Sequence, residues 1–306
     1  MSSRHRSDPN LAQTSSLQTS SRERSPQQAP ERPRDWMRWA KPALPGIELI
    51  HAHFLQHQFE RHWHDTFSIG VTRTGVQSFN AAGNLNHSTA GKIMCFNPGV
   101  AHDGQAGGET GFGYSMAYID TNRVQQWAHD VGLGGGRIHA TQPLISDNDT
   151  AQVLLDAFTA LEQNQESLRA ETLMQSATVQ LLSRHGDSAA PAKSNFNNNT
   201  AAQNSLRSVR DYIHAHFNQD ITVAQLSAVA GVSRVHLTRA FKSAQGIAPH
   251  AYLNNVRIHE AKARIQAGMP LAAVAYDVGY ADQSHFYRRF KGATGATPAQ
   301  WKAGRE

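Results

Sequence analysis

Three histidines stand where they could share one ligand. The stretch RHWHDTFSIG sets His62 and His64 two residues apart, so on a β-strand both side chains leave the same face. Further on, NPGVAHDG places a Pro-Gly turn shortly before His102. Neutral imidazole nitrogens bind zinc and related ions, and the same rings also orient small organic molecules by hydrogen bonds. Spacing alone leaves both chemistries open, beside a third role in which the rings are hydrogen-bonded parts of a core. A small-molecule pocket needs apolar walls and a few convergent polar groups. The candidates for an effector pocket are His62, Trp63, His64, Thr66, Phe67, Asn97, His102 and Tyr114. Strand alternation divides Trp63 and Phe67 from His62, His64 and Thr66, so the set faces one way only if a bulge intervenes. Arg61 and Arg73 are further candidates, as partners for a carboxylate. No metal or cofactor is assigned.

A second pattern occurs twice. Residues 231–242 read GVSRVHLTRAFK and residues 279–291 read GYADQSHFYRRFK. In the first, Thr222 can cap a helix over 223–230, with Leu226 and Val229 inward; Gly231 makes a turn, and Ser233 caps a helix over 234–242. Helical spacing puts Leu237, Ala240 and Phe241 on one face, and Arg234, Val235, Thr238 and Arg239 on the other. In the second, Leu271, Val274 and Val278 precede Gly279, and Asp282 caps a helix over 283–291. Phe286 and Phe290 point inward there, while Gln283, Ser284, Tyr287 and Arg288 point outward. Helix, glycine turn, helix is the arrangement whose second helix enters a major groove. Arg matched to guanine and Gln to adenine are the expected base pairings, with Lys242, Lys291, Arg289 and Arg257 on phosphates. Between the copies, Pro249 and Gly268 bracket a helix of about 18 residues, roughly 27 Å long. Such a rod can hold two reading heads about one DNA turn apart.

The elements that must position these residues follow from composition and period. Residues 1–35 are Ser-, Gln-, Arg- and Pro-rich, cannot bury enough surface to fold, and read as a disordered tail. Residues 36–185 read as one domain. Short apolar runs separated by Gly, Asn and Pro predict strands of a barrel or sandwich to about Ile145. Two helical stripes follow over 149–184, one of Leu154, Leu155, Phe158 and Leu161, the other of Leu173, Met174, Ala177 and Leu181. They suit packing on the barrel or on a second copy of the chain. Residues 186–203 read as a linker, and 204–306 as an all-helical domain. The net charge of +5 is unevenly spread: +4 over 1–41, −6 over 42–202 and +7 over 203–306. Only the last domain therefore suits a polyanion. The single cysteine, Cys95, excludes an intrachain disulfide. Neither a secretory h-region nor a membrane-length apolar run is present, so a cytoplasmic protein is expected.

Residues 206–304 resemble the DNA-binding domain of the AraC/XylS family of bacterial transcription regulators. The likeness rests on GVSRVHLTRAFKSAQGIAPHAYLNNVRIHEAKARI and VAYDVGYADQSHFYRRFKGATGATPAQW. It implies an α+β chain of two domains: a cupin-like β-barrel with trailing helices, then an all-α domain with two helix-turn-helix units. It also implies a regulator of promoters, usually an activator, with RNA polymerase as a partner. Base-reading positions matched by motif are Arg234, Val235, Thr238 and Arg239, then Gln283, Ser284, His285 and Arg288, with Lys242 and Lys291 beside them. The region around HxHD and PGxxH resembles the cupin-type sensor of such regulators. Metal-binding cupin enzymes carry a glutamate shortly after the second histidine; here only Asp65 follows. The expectation is a non-enzymatic regulator that binds promoter DNA and a small effector, dimerising through 149–184. The alternatives are a metal-dependent cupin enzyme and a constitutive DNA-binding protein whose barrel only dimerises.

Overall fold

The computed structural model describes residues 35–40, 44–133, 138–163, 167–187 and 201–305. Almost all of the expected tail and most of the expected linker lie outside the described residues. The first domain runs β1 Trp36–Ala40, β2 Ile47–Phe54, β3 Phe59–His62, β4 Phe67–Ala81, β5 Asn84–Thr89, β6 Ile93–Phe96, β7 His102–Ala106 and β8 Phe112–Ile119. It continues with α1 Thr121–Asp130, β9 His139–Ala140, β10 Leu144–Ile145, α2 Asn148–Glu162, α3 Ser167–His185 and β11 Gly186–Asp187.

The main sheet has the antiparallel order β1-β2-β8-β4-β6-β10. The long strand β4 belongs to two sets of partners. Its first half, from Phe67, pairs with β8 and β6; its second half pairs with β5 and β7, and β7 pairs in turn with β3. The register against β8 slips between Thr72 and Thr74, where an extra residue lets the strand bend from one set to the other.

Alternation then builds two cores. Leu49, Phe67, Ile69, Val71, Ala117 and Ile119 leave the outer face and pack under the helices, against Trp127, Leu154, Phe158, Leu161, Met174, Ala177 and Leu181. Both stripes of the 149–184 stretch are thus spent on this domain's own sheet. Ile50, Phe54, Phe79, Met94, Phe112, Tyr114 and Met116 fill the inner face. The stretch expected to hold only strands also contains α1. Asp120 starts it, its carboxylate accepting from the Asn122 and Arg123 amides, and Val124 and Trp127 bury one face.

The helical domain runs α4 Ala201–His216, α5 Val223–Ala230, α6 Arg234–Gln245, α7 Pro249–Gln266, α8 Leu271–Asp277, α9 Gln283–Thr294 and α10 Pro298–Ala303. Each helix-turn-helix has its own core, one around Leu237, Phe241 and Val256, the other around Val274, Phe286, Phe290 and Trp301. The rod α7 contributes to both.

Candidate functional site

The two recognition helices are built from caps outward. Thr222 accepts from the Gln225 amide while the Gln225 side chain accepts from the Thr222 amide, a reciprocal cap that starts α5. Gly231 takes φ 67°, and Ser233 accepts from the His236 amide to start α6. In the second unit Gly279 takes φ 87°, and the Asp282 carboxylate accepts from the His285 amide at 2.7 Å to start α9. Leu237, Phe241, Phe286 and Phe290 are fully buried. The opposite faces are free: Arg234, Val235, Arg239, Lys242, Gln283, Ser284, Arg288 and Lys291 are exposed, with Thr238 partly so. Both helices run three residues beyond the expected ends and stop at Gly246 and Gly295.

Four expectations differ here. Val229 is 36% exposed rather than inward, because the short α5 is covered on one side only. His285 is half-buried, its ring edge-on to Tyr280 at 5.3 Å and accepting from Arg289 Nε at 3.3 Å. Arg257 donates to the Phe217 and Gln219 carbonyls, at 2.7 and 2.8 Å. Arg289 pairs with Glu60 of β3 at 3.0 Å. Both arginines are therefore engaged within the chain, where the sequence pointed them at phosphates.

The three histidines do come together. The rings of His62 and His102 stand 4.5 Å apart, and His64 lies 4.9 Å from His62 and 5.1 Å from His102. His62 Nδ1 bonds the Glu60 carbonyl at 2.7 Å and His102 Nδ1 the Val100 carbonyl at 2.9 Å. A carbonyl only accepts, so each Nδ1 carries the proton and each Nε2 keeps a free lone pair. Phe96 stacks flat on His102 at 3.9 Å. Burial pushes the pKa of all three rings down, that of His102 to about 4, which keeps them neutral near pH 7.

His62, His64 and Thr66 line a cavity of about 270 Å³ whose other wall is the helical domain. Trp39, Ile50, Phe59 and Tyr118 come from the sheet; His259, Lys262 and Gln266 form one stripe of α7, and Trp301 and Arg305 come from the C-terminal end. Burial lowers the Lys262 pKa to about 8 and raises that of Tyr118. Arg305 lies over the Trp301 ring at 3.8 Å and pairs with Glu48 of β2.

The other four pocket candidates are placed elsewhere. Phe67 is in the outer core under the helices. Tyr114 is in the packed inner core, stacked on Phe112. Asn97 exchanges two 2.8 Å bonds with the backbone of Ala140, taking the part of a strand neighbour. Trp63 leaves its own domain: it stacks on Tyr252 at 4.6 Å within the core of the first helix-turn-helix unit. Around it, Arg61 Nε donates to the Gly246 carbonyl at 2.9 Å, and Asn255 donates to the Arg61 carbonyl at 3.1 Å. His259 meets Asp65 at 2.9 Å. Sequence reasoning missed the α7 wall. The spacing of His259, Lys262 and Gln266 was its only local signal, since these residues lie far from the histidines in the chain.

Comparisons with known proteins agree with this architecture. A profile described as the AraC-like ligand binding domain matches residues 44–178, and one described as a helix-turn-helix domain matches residues 226–304. The HTH-type transcriptional regulator YbfI of Bacillus subtilis (strain 168) is 24% identical over 244 residues, covering 78% of this chain and 85% of that protein. The HTH-type transcriptional regulator SACOL0084 of Staphylococcus aureus (strain COL) is 30% identical over 132 residues, 43% of this chain and 18% of that relative. Among solved structures, an apo form of a ToxT variant from Vibrio cholerae strain SCE256 superposes with a TM-score of 0.55 at 14% identity, over 87% of this chain and all of that one. Wild-type ToxT from the same strain, described as bound to an unsaturated fatty acid, gives a TM-score of 0.50 at 13% identity, over 88% and 94% of the two chains. The likeness to ToxT is one of fold. The chain belongs to the AraC family of transcription regulators, with a ligand-binding domain followed by a helix-turn-helix DNA-binding domain. Among the described residues no helix is long and apolar enough to cross a membrane.

Proposed function

We propose that this regulator is a promoter-binding activator controlled by a small organic acid held between its two domains. The observation that carries the reading is the cavity itself, which has the sheet on one wall and the rod between the two reading heads on the other. Trp39, Ile50, Phe59 and Trp301 suit an apolar body, and Lys262 and Arg305 suit a carboxylate. The fatty acid described in a ToxT structure of this fold is of the same chemical class. At about 270 Å³ the space takes a compact effector or one end of a longer one. Arg234, Thr238, Arg239, Gln283, Ser284 and Arg288 read bases in two successive major-groove segments, with Lys242 and Lys291 on phosphates.

Ligand acts by binding one arrangement of the two domains better than another. The docked arrangement ties α9 to β3 through Arg289 and Glu60, so an effector that spreads the walls frees that arginine. RNA polymerase is the downstream partner of an activator. A homodimer through 149–184 uses the outer faces of α2 and α3, where Leu168 stands 73% exposed, since the inner faces are filled. The test is fluorescence anisotropy of labelled upstream DNA, at fixed salt, with unbranched fatty acids and aryl carboxylates. One class should change the DNA affinity of the native chain and leave Lys262→Met unresponsive but still DNA-binding. If no acid alters either DNA affinity or melting temperature, the effector reading fails.

A further inference from the structure

We infer that His62, His64 and His102 form a binding site for one divalent transition-metal ion of the zinc type, with its open coordination position facing the interdomain cavity. Four observations carry this. One ring nitrogen from each histidine lies within 4.8 Å of the others. Two of the rings have Nδ1 bonded to a backbone carbonyl, at 2.7 and 2.9 Å, which is the outer-shell arrangement that fixes a metal-binding tautomer and aims Nε2. His64 makes no ring hydrogen bond among the described residues, so it is free to turn inward. Phe96, stacked flat on His102 at 3.9 Å, fixes the plane of that ring.

The distances ask for a small adjustment. Zn–N bonds of about 2.0–2.1 Å in a tetrahedral site put ligand nitrogens roughly 3.3 Å apart. The rings must therefore close by more than an ångström from their present spread. His64 is the mobile member, because Phe96 and the two carbonyls hold His102 and His62.

Charge decides what the fourth ligand is. Three imidazoles leave the ion's full double charge uncompensated, and Lys262 on the facing wall adds another positive charge. The open position therefore favours an anion, with Lys262 or Arg305 at its second oxygen. A carboxylate effector meets that need, and this last step rests on the effector reading; the metal site does not. The ligand set is nitrogen only, which selects zinc, nickel, cobalt or copper over magnesium and calcium.

The test uses the full chain without an affinity tag, stripped with chelator and titrated with Co²⁺ or Zn²⁺ alone. We expect one ion per chain by mass spectrometry and the visible absorption of a low-coordinate cobalt–nitrogen site. His64→Gln, the mildest change because that ring is only half-buried, should weaken binding by about tenfold or more. His62→Gln with His102→Gln should abolish it. Two results overturn the inference: less than stoichiometric uptake by the native chain, or stoichiometric uptake that survives these substitutions. DNA affinity in response to acids is a separate readout, so loss of the metal site and loss of the effector reading are told apart.

Discussion

Replacing Trp63 with alanine separates the stability of the domains from the stability of their docking. Trp63 follows β3 in the chain but is 8% exposed inside the core of the first helix-turn-helix unit. It stacks on Tyr252 at 4.6 Å and 22°, with His259 at 5.6 Å. Truncating a buried tryptophan costs about 3–5 kcal/mol, of which roughly 0.5–1.5 kcal/mol is the aromatic pair. Neither domain's own sheet or bundle loses a strand, helix or cap in the change. Nearly all of the loss therefore falls on the contact between domains, enough to shift a docked equilibrium by two orders of magnitude or more. Small-angle scattering should report a larger radius of gyration for Trp63→Ala, and calorimetry two resolved transitions in place of coupled ones. Solvent exchange of the side-chain N–H groups at Arg61 Nε and Asn255 Nδ2, which donate the cross-domain bonds that flank the ring, should rise in NMR spectra. A variant that stays compact, with one transition merely lowered, would refute the assignment of Trp63 to docking.

Three further outcomes follow from named contacts. Arg288→Ala should weaken binding at the cognate site by about 1–3 kcal/mol and relax one base position, read by footprinting and a base-substitution series. Gly279→Ala should destabilise the helical domain by roughly 1–3 kcal/mol in urea titration: the residue sits at φ 87°, and a Cβ there would stand 2.7 Å from the Asn218 backbone. With chelator present, stability should fall as the pH is lowered from about 6.5 to about 4. The folded state holds the His102 ring at a depressed pKa of about 4, so the unfolded chain takes up protons first, and the contribution present above 6.5 is lost on the way down. That shift is worth about 3 kcal/mol, and His102→Gln should remove that part of the pH dependence in a series of denaturant melts.

The helical domain was legible almost residue by residue because its signals are local. Caps at Thr222, Ser233 and Asp282 and the turn glycines at 231 and 279 act on their neighbours in the chain, and α5 begins and ends where the sequence puts it. The sheet was legible in kind but not in pairing. Nothing within β4 announces that its two halves serve different partners, since that depends on strands tens of residues away. Asn97 and Tyr114 read as pocket polar groups because residue type reports hydrogen-bonding capacity, not who supplies the partner. The α7 wall was not legible, because Lys262 acquires its meaning only when two domains fold against each other.

The order HWHD puts a cavity wall and an interdomain contact on one short segment. Residues 62 and 64 turn to the cavity, and residue 63 between them turns the other way, into the DNA-binding domain. One short stretch of backbone carries both, so a shift of that backbone moves both contacts together. A ligand that shifts the backbone of this stretch, beyond turning the His64 ring, therefore acts on the contact of Trp63 with Tyr252 and on that of Asp65 with His259. The same short segment also carries Glu60 and Arg61, the partners of α9 and of the end of α6. Six consecutive residues, 60–65, thus carry both part of the cavity wall and the contacts to the two helix-turn-helix units. A small displacement there is expected to reach all of these contacts at once, because packed interfaces are bistable rather than elastic.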